Sequence, residues 1–263
     1  MIVGFIIYIA SAVYACAMSE IYREYADRNR YSKSEVLQNW VAGRIVKNFL
    51  NQTQLQPPES SLLEIGSGLG RVAKKASELG FAKYSAIEPN SILAAETRKA
   101  SGSGSIVVEE YLPAIPNGFE SSFDMVMSFH VLEHAPDQNS AREWVQSMER
   151  MVKPGGYILI SGPDIRDYKS SFWDSDWSHG YPLTPGRVSQ IYADLGLELV
   201  FATSLHFGSY RLLPRIIAHT LSAIIPTRVI DSACVKLFGR PLASGTQIAL
   251  IWGITFVVAK KLD

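Results

Sequence analysis

The sequence has no excess of either charge and only two cysteines. Its 263 residues contain 25 Lys and Arg against 25 Asp and Glu, and no basic stripe stands out, so the electrostatic footprint of a nucleic-acid-binding protein is missing. Cys16 and Cys234 stand far apart without a CxxC or zinc-ligand spacing, which predicts a cytoplasmic protein and no structural metal. The length suits one domain with an elaboration.

Charge is absent from residues 1–18, which are followed by four basic residues between positions 23 and 33. A signal peptide would begin with basic residues, and none is present. A membrane-spanning helix needs about 20 apolar residues, and this run is only just long enough to reach the lower end of the range. Residues 1–19 are therefore predicted to form an apolar helix. It either attaches the chain to the cytoplasmic face of a membrane or packs on the domain, and both interpretations stay open.

One short stretch concentrates glycine, Ser61-Leu-Leu-Glu-Ile-Gly-Ser-Gly-Leu-Gly70. Its apolar start suits a buried parallel strand, and apolar residues return at helical spacing after Gly70. Between the two lies Glu64-x-Gly66-x-Gly68-x-Gly70. Alternate glycines let the backbone turn sharply and approach a ligand, which the N–H groups of the next helix then face. The stretch predicts a strand, a ligand-binding turn and a helix.

The obvious competitor for this turn is the dinucleotide fingerprint G-x-G-x-x-G. Counted from Gly66, the third glycine would fall on Arg71, whose long side chain would hinder packing of helix against strand. Glu88 ends the next apolar run, where a carboxylate can accept both hydroxyls of a ribose. This second feature indicates a nucleoside without choosing which one.

Two further blocks follow in order along the chain. Phe123-Asp-Met-Val-Met-Ser-Phe-His-Val-Leu-Glu-His134 reads as a fourth strand that ends in polar residues. Lys153-Pro-Gly-Gly156 is predicted as a turn that leads into a fifth strand, 157–160. With the glycine turn and Glu88, these blocks make residues 36–205 and the final strand similar to the class I S-adenosylmethionine-dependent methyltransferases. Within them, the chain most resembles the small-molecule branch typified by the ubiquinone-pathway enzymes.

The resemblance implies an α/β fold in residues 20–263, with a Rossmann-like sheet of seven strands, the last antiparallel, and flanking helices. A helical insertion is predicted before the last strand, at about 209–240. Its apolar segment 210–238 could form a lid, a membrane-surface hairpin or a dimer face, with core packing as the default.

The implied cofactor is S-adenosyl-L-methionine. The resemblance assigns the methionine half to the glycine turn, the ribose to Glu88 and the adenine amino group to Glu109 or Glu110, with neither of these two chosen. The backbone after the fourth strand would close over the sulfonium. The predicted cofactor-binding residues are Glu64, Gly66, Ser67, Gly68, Gly70, Glu88, Pro89, Glu109, Glu110, Ser128, Phe129 and His130.

Ligands of open α/β sheets sit at the carboxyl ends of the strands, and here the fourth strand ends in His130, Glu133 and His134. These groups could act as a general base or as ligands of a divalent ion. A Glu-x-x-Glu-His array binds metal in the ubiquinone-pathway O-methyltransferases, but the first position here is histidine, so we predict no metal. His179 is a second candidate base, in the aromatic loop 167–184 that could contact substrate.

The expected function is transfer of a methyl group to a small, apolar or lipid-like acceptor at oxygen, with His130 or His179 as the base. The apolar segments 1–18 and 210–238 favour membrane contact. Two alternatives stay open, an inactive methyltransferase-like scaffold and a Rossmann NAD(P) oxidoreductase.

Overall fold

The computed structural model describes residues 35–170, 172–173, 176–206, 209, 213–214, 216–217, 220, 236 and 253–263. The predicted apolar helix 1–19 and most of the predicted insertion lie outside these residues, and both stay predictions. Within the described ranges, no helix combines the length and the apolar character that crossing a membrane requires.

The fold is organised around a seven-stranded sheet in the order β3-β2-β1-β4-β5-β7-β6. Strands β1 to β5 pair in parallel, and β7 runs antiparallel to both of its neighbours. The predicted sheet with an antiparallel last strand is confirmed. The strands are β1 Ser61–Ile65, β2 Lys83–Ile87, β3 Ile106–Val108, β4 Phe123–Phe129, β5 Val152–Pro163, β6 Glu198–Leu205 and β7 Ile254–Lys260.

Helices connect the parallel strands, and most begin at a side chain that accepts hydrogen bonds from the first turn. Asn90, Asp137, Asp164 and Thr184 play this capping role. The helices are α1 Glu35–Thr53, α2 Arg71–Leu79, α3 Ser91–Ser101, α4 Gln138–Met151, α5 Ile165–Tyr168 and α6 Pro185–Asp194, with short 3-10 turns at Pro57–Glu59 and Leu132–His134.

The core lies on both faces of the sheet. On one face α1 and α2 contribute side chains such as Phe49 and Val72, and on the other α4 and α6 contribute Met148 and Tyr192. Because both faces are covered, every residue of β1 is buried. The apolar strand predicted before the glycine turn is therefore a central strand, and the turn lies at its carboxyl end.

The structure corrects the predicted start of the fifth strand. Lys153-Pro-Gly-Gly156, expected as a turn, lies inside β5, which begins at Val152. Gly155 donates its N–H to the carbonyl of Lys261 at 2.9 Å, and Lys261 donates its N–H to the carbonyl of Gly156 at 2.9 Å. A Cβ on Gly156 would lie 2.7 Å from the Val152 side chain, so glycine allows this close pairing.

Candidate active site

The three glycines of the turn after β1 all have a left-handed backbone, with φ of 68° at Gly66, 54° at Gly68 and 70° at Gly70. A Cβ on Gly66 would lie 2.3 Å from Val131, and one on Gly70 would lie 2.9 Å from the backbone of Thr97. A Cβ on Gly68 would meet nothing within 4 Å. The outer two glycines thus serve the packing of the protein itself, while Gly68 borders open space.

The predicted ribose-binding carboxylate lies beside that open space. Glu88 is buried, and its Oε2 accepts the N–H of Gly68 at 2.8 Å while its Oε1 accepts the N–H of Asn90 at 3.0 Å. Burial raises the pKa of Glu88, and these two N–H groups counteract part of the rise. A carboxylate has about four acceptor positions, so Glu88 can accept further donors such as sugar hydroxyls. Pro89, the next residue, is half-buried.

The turn is braced from α3 by a residue that sequence reasoning missed. Thr97 donates its hydroxyl to the carbonyl of Gly68 at 3.1 Å and lies 2.8 Å from the hydroxyl of Ser67. Because the single proton of Thr97 goes to the carbonyl, Ser67 is the donor between the two hydroxyls. Ser67 therefore supports the turn. A threonine inside a helix carries no local signal of this role.

Glu64, the acidic residue of the motif, is buried and accepts a short hydrogen bond from the hydroxyl of Tyr84 in β2. Burial raises the pKa of Glu64 well above its usual range, and the nearby Glu88 raises it further, although the Tyr84 hydroxyl counteracts part of the rise. The protein environment therefore favours the neutral form of Glu64 more than water does. The sequence placed Tyr84 only as a strand residue, so this contact was also missed.

Glu64→Gln is expected to stabilise the ligand-free protein most at alkaline pH. Because the pKa of Glu64 is higher in the folded protein than in the unfolded chain, the free energy of unfolding falls as pH rises above the unfolded pKa. Glutamine stays neutral and escapes this loss. Thermal unfolding at about pH 5 and about pH 8 measures the effect. The variant's advantage in Tm should grow with pH, and an advantage that shrinks toward alkaline pH would contradict a raised pKa of Glu64.

At the end of β4, the backbone places His130 in an unusual conformation. Ser128 is buried, Phe129 is half-buried, and His130 has a left-handed φ of 58°. This costs a residue with a side chain about 1–2 kcal/mol. The N–H of His130 donates to the carbonyl of Ser161 in β5 at 2.8 Å, which holds the strained residue at the strand end. Strain of this kind at a strand end is typical of functional positions.

His130 is paired with a buried carboxylate. Its Nδ1 lies 3.0 Å from Oε1 of Glu133, which is fully buried, while 37% of the His130 side chain is exposed. Burial would raise the pKa of Glu133, but the hydrogen bond from His130 and the neighbouring His134 and His179 outweigh it and lower the pKa. Because the ionised carboxylate only accepts, Nδ1 of His130 carries the proton and Nε2 is left as the acceptor nitrogen.

The aromatic loop divides into a buried part and an exposed part. Tyr168, Phe172 and Tyr181 are buried in the domain, whereas Trp173 and Trp177 are 50% and 74% exposed. Part of the loop that was predicted to contact substrate is thus ordinary core packing, and Trp173 and Trp177 are its exposed aromatic side chains.

His179 has different neighbours from His130. Its Nδ1 bonds to the carbonyl of Phe172 at 2.6 Å, and its ring lies 5.0 Å from that of His134, measured between centroids. The two predicted bases thus occupy different environments at the same end of the sheet.

The two candidate adenine-binding acids are exposed beyond β3. Glu109 forms an ion pair with Arg98 at 2.9 Å, and Glu110 accepts the N–H of Tyr111 at 3.1 Å. Arg98 is a partner that the sequence did not suggest. The adenine role of these glutamates stays a prediction.

Solved structures with the same fold are numerous. A Haloferax volcanii protein, solved in complex with the methyltransferase activator Trm112, has a TM-score of 0.65 and 12% identity, over 92% of this chain and 98% of that one. An S-adenosylmethionine-dependent methyltransferase from Methanosarcina mazei has a TM-score of 0.55 and 15% identity, over 83% and 97%. NodS, an N-methyltransferase from Bradyrhizobium japonicum in complex with S-adenosyl-L-homocysteine, has a TM-score of 0.53 and 13% identity, over 83% and 88%.

The family of the chain follows from a family model rather than from these distant structures. No curated protein matches the chain. The family model described as "Methyltransferase domain" matches residues 37–202, more than half of the chain. These residues contain the glycine turn, Glu88 and the end of β4 together, and membership of this family indicates S-adenosyl-L-methionine as the cofactor. The chain belongs to the methyltransferase domain family.

Proposed function

We propose that this protein transfers the methyl group of S-adenosyl-L-methionine to an oxygen of a small, apolar or lipid-like acceptor. The observation that carries the proposal is the open space at Gly68, which is bordered by the buried carboxylate of Glu88, 2.8 Å from the Gly68 N–H. A nucleoside with a charged chain needs both features, room beside bare backbone and an acceptor for its sugar hydroxyls.

The donor would lie along the carboxyl ends of β1, β2 and β4. Gly66, Gly68 and Gly70 would bring the backbone beside its methionine half, and Glu88 would accept its ribose hydroxyls. The backbone from Ser128 to His130 would close over the sulfur. When bound, the sulfonium supplies an activated methyl group, so the remaining tasks are to align the acceptor and to remove its proton.

His130 is the base that the geometry favours. Its Nδ1 is fixed by Glu133 at 3.0 Å, so Nε2 is the nitrogen that can accept a proton from an acceptor hydroxyl. The partly exposed ring gives an acceptor access to this nitrogen. His179 stays the second candidate, since it belongs to the loop that carries the exposed Trp173 and Trp177.

The small-molecule, ubiquinone-type branch and a location at the cytoplasmic face of a membrane belong to this proposal as well. They rest on the motif resemblance and on segments 1–18 and 210–238, which lie largely outside the described residues. The exposed side chains of Leu213, Ile216 and Ile217 are apolar, as a surface that meets lipid would require.

Two experiments test the proposal, first calorimetry and then methyl labelling. Tight binding of S-adenosylhomocysteine without binding of NADH is expected, and the reverse would favour an oxidoreductase. The full chain is then incubated with a labelled methyl donor and an extract that is separated into lipid, sugar and protein fractions. Label in the lipid fraction is expected. Donor binding without label in any fraction would point to an inactive scaffold.

A further inference from the structure

Three side chains converge beside His130, and the proposed methyl transfer does not explain why they lie together. Glu133 and His134 belong to the turn Leu132–His134 after β4, and His179 belongs to the aromatic loop. One oxygen or nitrogen atom from each of these three residues lies within 4.8 Å of the other two. Glu133 is buried and the two histidines are half-buried, so the cluster is not formed by fully exposed side chains.

The backbone holds the loop firmly against the turn. Gly180 and Tyr181 both donate their N–H groups to the carbonyl of Glu133, at 2.9 and 3.0 Å. A Cβ on Gly180 would lie 2.5 Å from the carbonyl oxygen of Ala135, so only glycine permits this approach. The position of His179 relative to Glu133 and His134 is therefore set by backbone contacts as well as by side chains.

The hydrogen bonds around the two histidines fix which ring nitrogen carries the proton. Nδ1 of His179 faces the carbonyl of Phe172 at 2.6 Å, and a carbonyl can only accept, so this Nδ1 is protonated. Nδ1 of His134 lies 2.9 Å from the hydroxyl of Ser178, which gives its own proton to Asp176 at 2.6 Å. This Nδ1 is therefore also a donor.

In both rings the lone pair is then on Nε2, provided that the ring is neutral. Histidines that bind metals almost always donate their other ring N–H to a carbonyl, a carboxylate or a polar partner of this kind. His134 and His179 thus have the outer contacts of metal ligands.

The carboxylate of Glu133 supplies an independent observation. Its Oε1 receives the hydrogen bond from His130, but its Oε2 is buried and has no hydrogen-bond partner among the described residues. A buried charged oxygen without a partner is costly. A cation held between Glu133 and the two imidazoles would give this oxygen a partner.

We propose that Glu133, His134 and His179 bind one divalent transition metal ion of the zinc class. Two imidazoles and one carboxylate suit zinc and its neighbours, whereas magnesium and calcium prefer oxygen ligands throughout. His130 is not a ligand, because it is the partner of the other oxygen of Glu133. This set therefore differs from the candidate ligands His130, Glu133 and His134 that the sequence suggested. The ion cross-links the aromatic loop to the end of β4 and keeps a fourth position for water.

Metal analysis of the full-length protein tests the proposal. After equilibration with zinc and removal of free metal, about one equivalent should remain, and cobalt(II) in its place should give the visible absorption of a low-coordinate site. His134→Gln and His179→Gln should each weaken zinc binding by about a hundredfold or more, since loss of an outer partner alone costs about 10–100-fold. His130→Gln is the matched control and should retain the metal.

A second measurement does not depend on whether the variants fold. Zinc should raise the Tm of the unsubstituted protein, and EDTA should reverse the rise. Retention of the same zinc affinity in both His134→Gln and His179→Gln would overturn the proposal. So would the lack of bound zinc and of any zinc-dependent change in Tm in the unsubstituted chain. None of these readouts uses methyl transfer, so failure here leaves the proposed function standing.

Discussion

Gly68→Ala is expected to fold and to lose affinity for S-adenosylhomocysteine by about five- to a hundredfold. Its new methyl group meets no protein atom within 4 Å, so the variant gains no internal clash. The group instead projects into the space that we assign to the donor, and filling an occupied site costs about 1–3 kcal/mol. Since about 1.4 kcal/mol corresponds to a tenfold change in affinity, calorimetry detects the loss easily.

Gly80→Ala is the matched control for this prediction. Gly80 ends α2, has a left-handed φ of 73°, and would also present its Cβ to open space. Both variants therefore carry the same kind of backbone strain, of about 1–2 kcal/mol, and should lose a similar amount of Tm. Only Gly68→Ala should lose affinity. Equal affinity in both variants would mean that the donor does not lie against Gly68.

The sequence predicted the position of the glycine turn but not the separate roles of its three glycines. Alternate glycines after an apolar run predicted a ligand-binding turn, and the structure places that turn at the carboxyl end of a central strand. The sequence treated Gly66, Gly68 and Gly70 alike. Their distinct tasks depend on what lies opposite each one, Val131 for Gly66 and Thr97 for Gly70, and those neighbours are set by tertiary packing.

The contacts that sequence reasoning missed all join residues from different elements. Tyr84 reaches Glu64 from the neighbouring strand, and Thr97 reaches the turn from α3. His179 is far from His134 in sequence, yet their rings are 5.0 Å apart. Periodicity identifies the elements and the strand ends, but register, the docking of a loop and the direction of a side chain decide which of the groups meet.

His130→Gln is expected to lower the rate of methyl transfer by about 100–10,000-fold, the contribution of a general base. Donor affinity should stay nearly unchanged, because the side chain of His130 is assigned to the acceptor. Transfer of the labelled methyl group measures the rate, and calorimetry with S-adenosylhomocysteine measures the donor affinity. Full turnover in His130→Gln would make His179 the remaining candidate for the base.

Glu133→Gln tests whether the buried carboxylate acts through His130 or by itself. Loss of a charged hydrogen bond is worth about 1.5–3 kcal/mol, so the variant should be about ten- to a hundredfold slower. Because the carboxylate positions and polarises His130, the double variant should be no slower than His130→Gln alone. Rates measured with zinc and after EDTA separate this effect from the proposed role of Glu133 as a metal ligand. Additive losses in both conditions would show that Glu133 contributes to methyl transfer independently of His130.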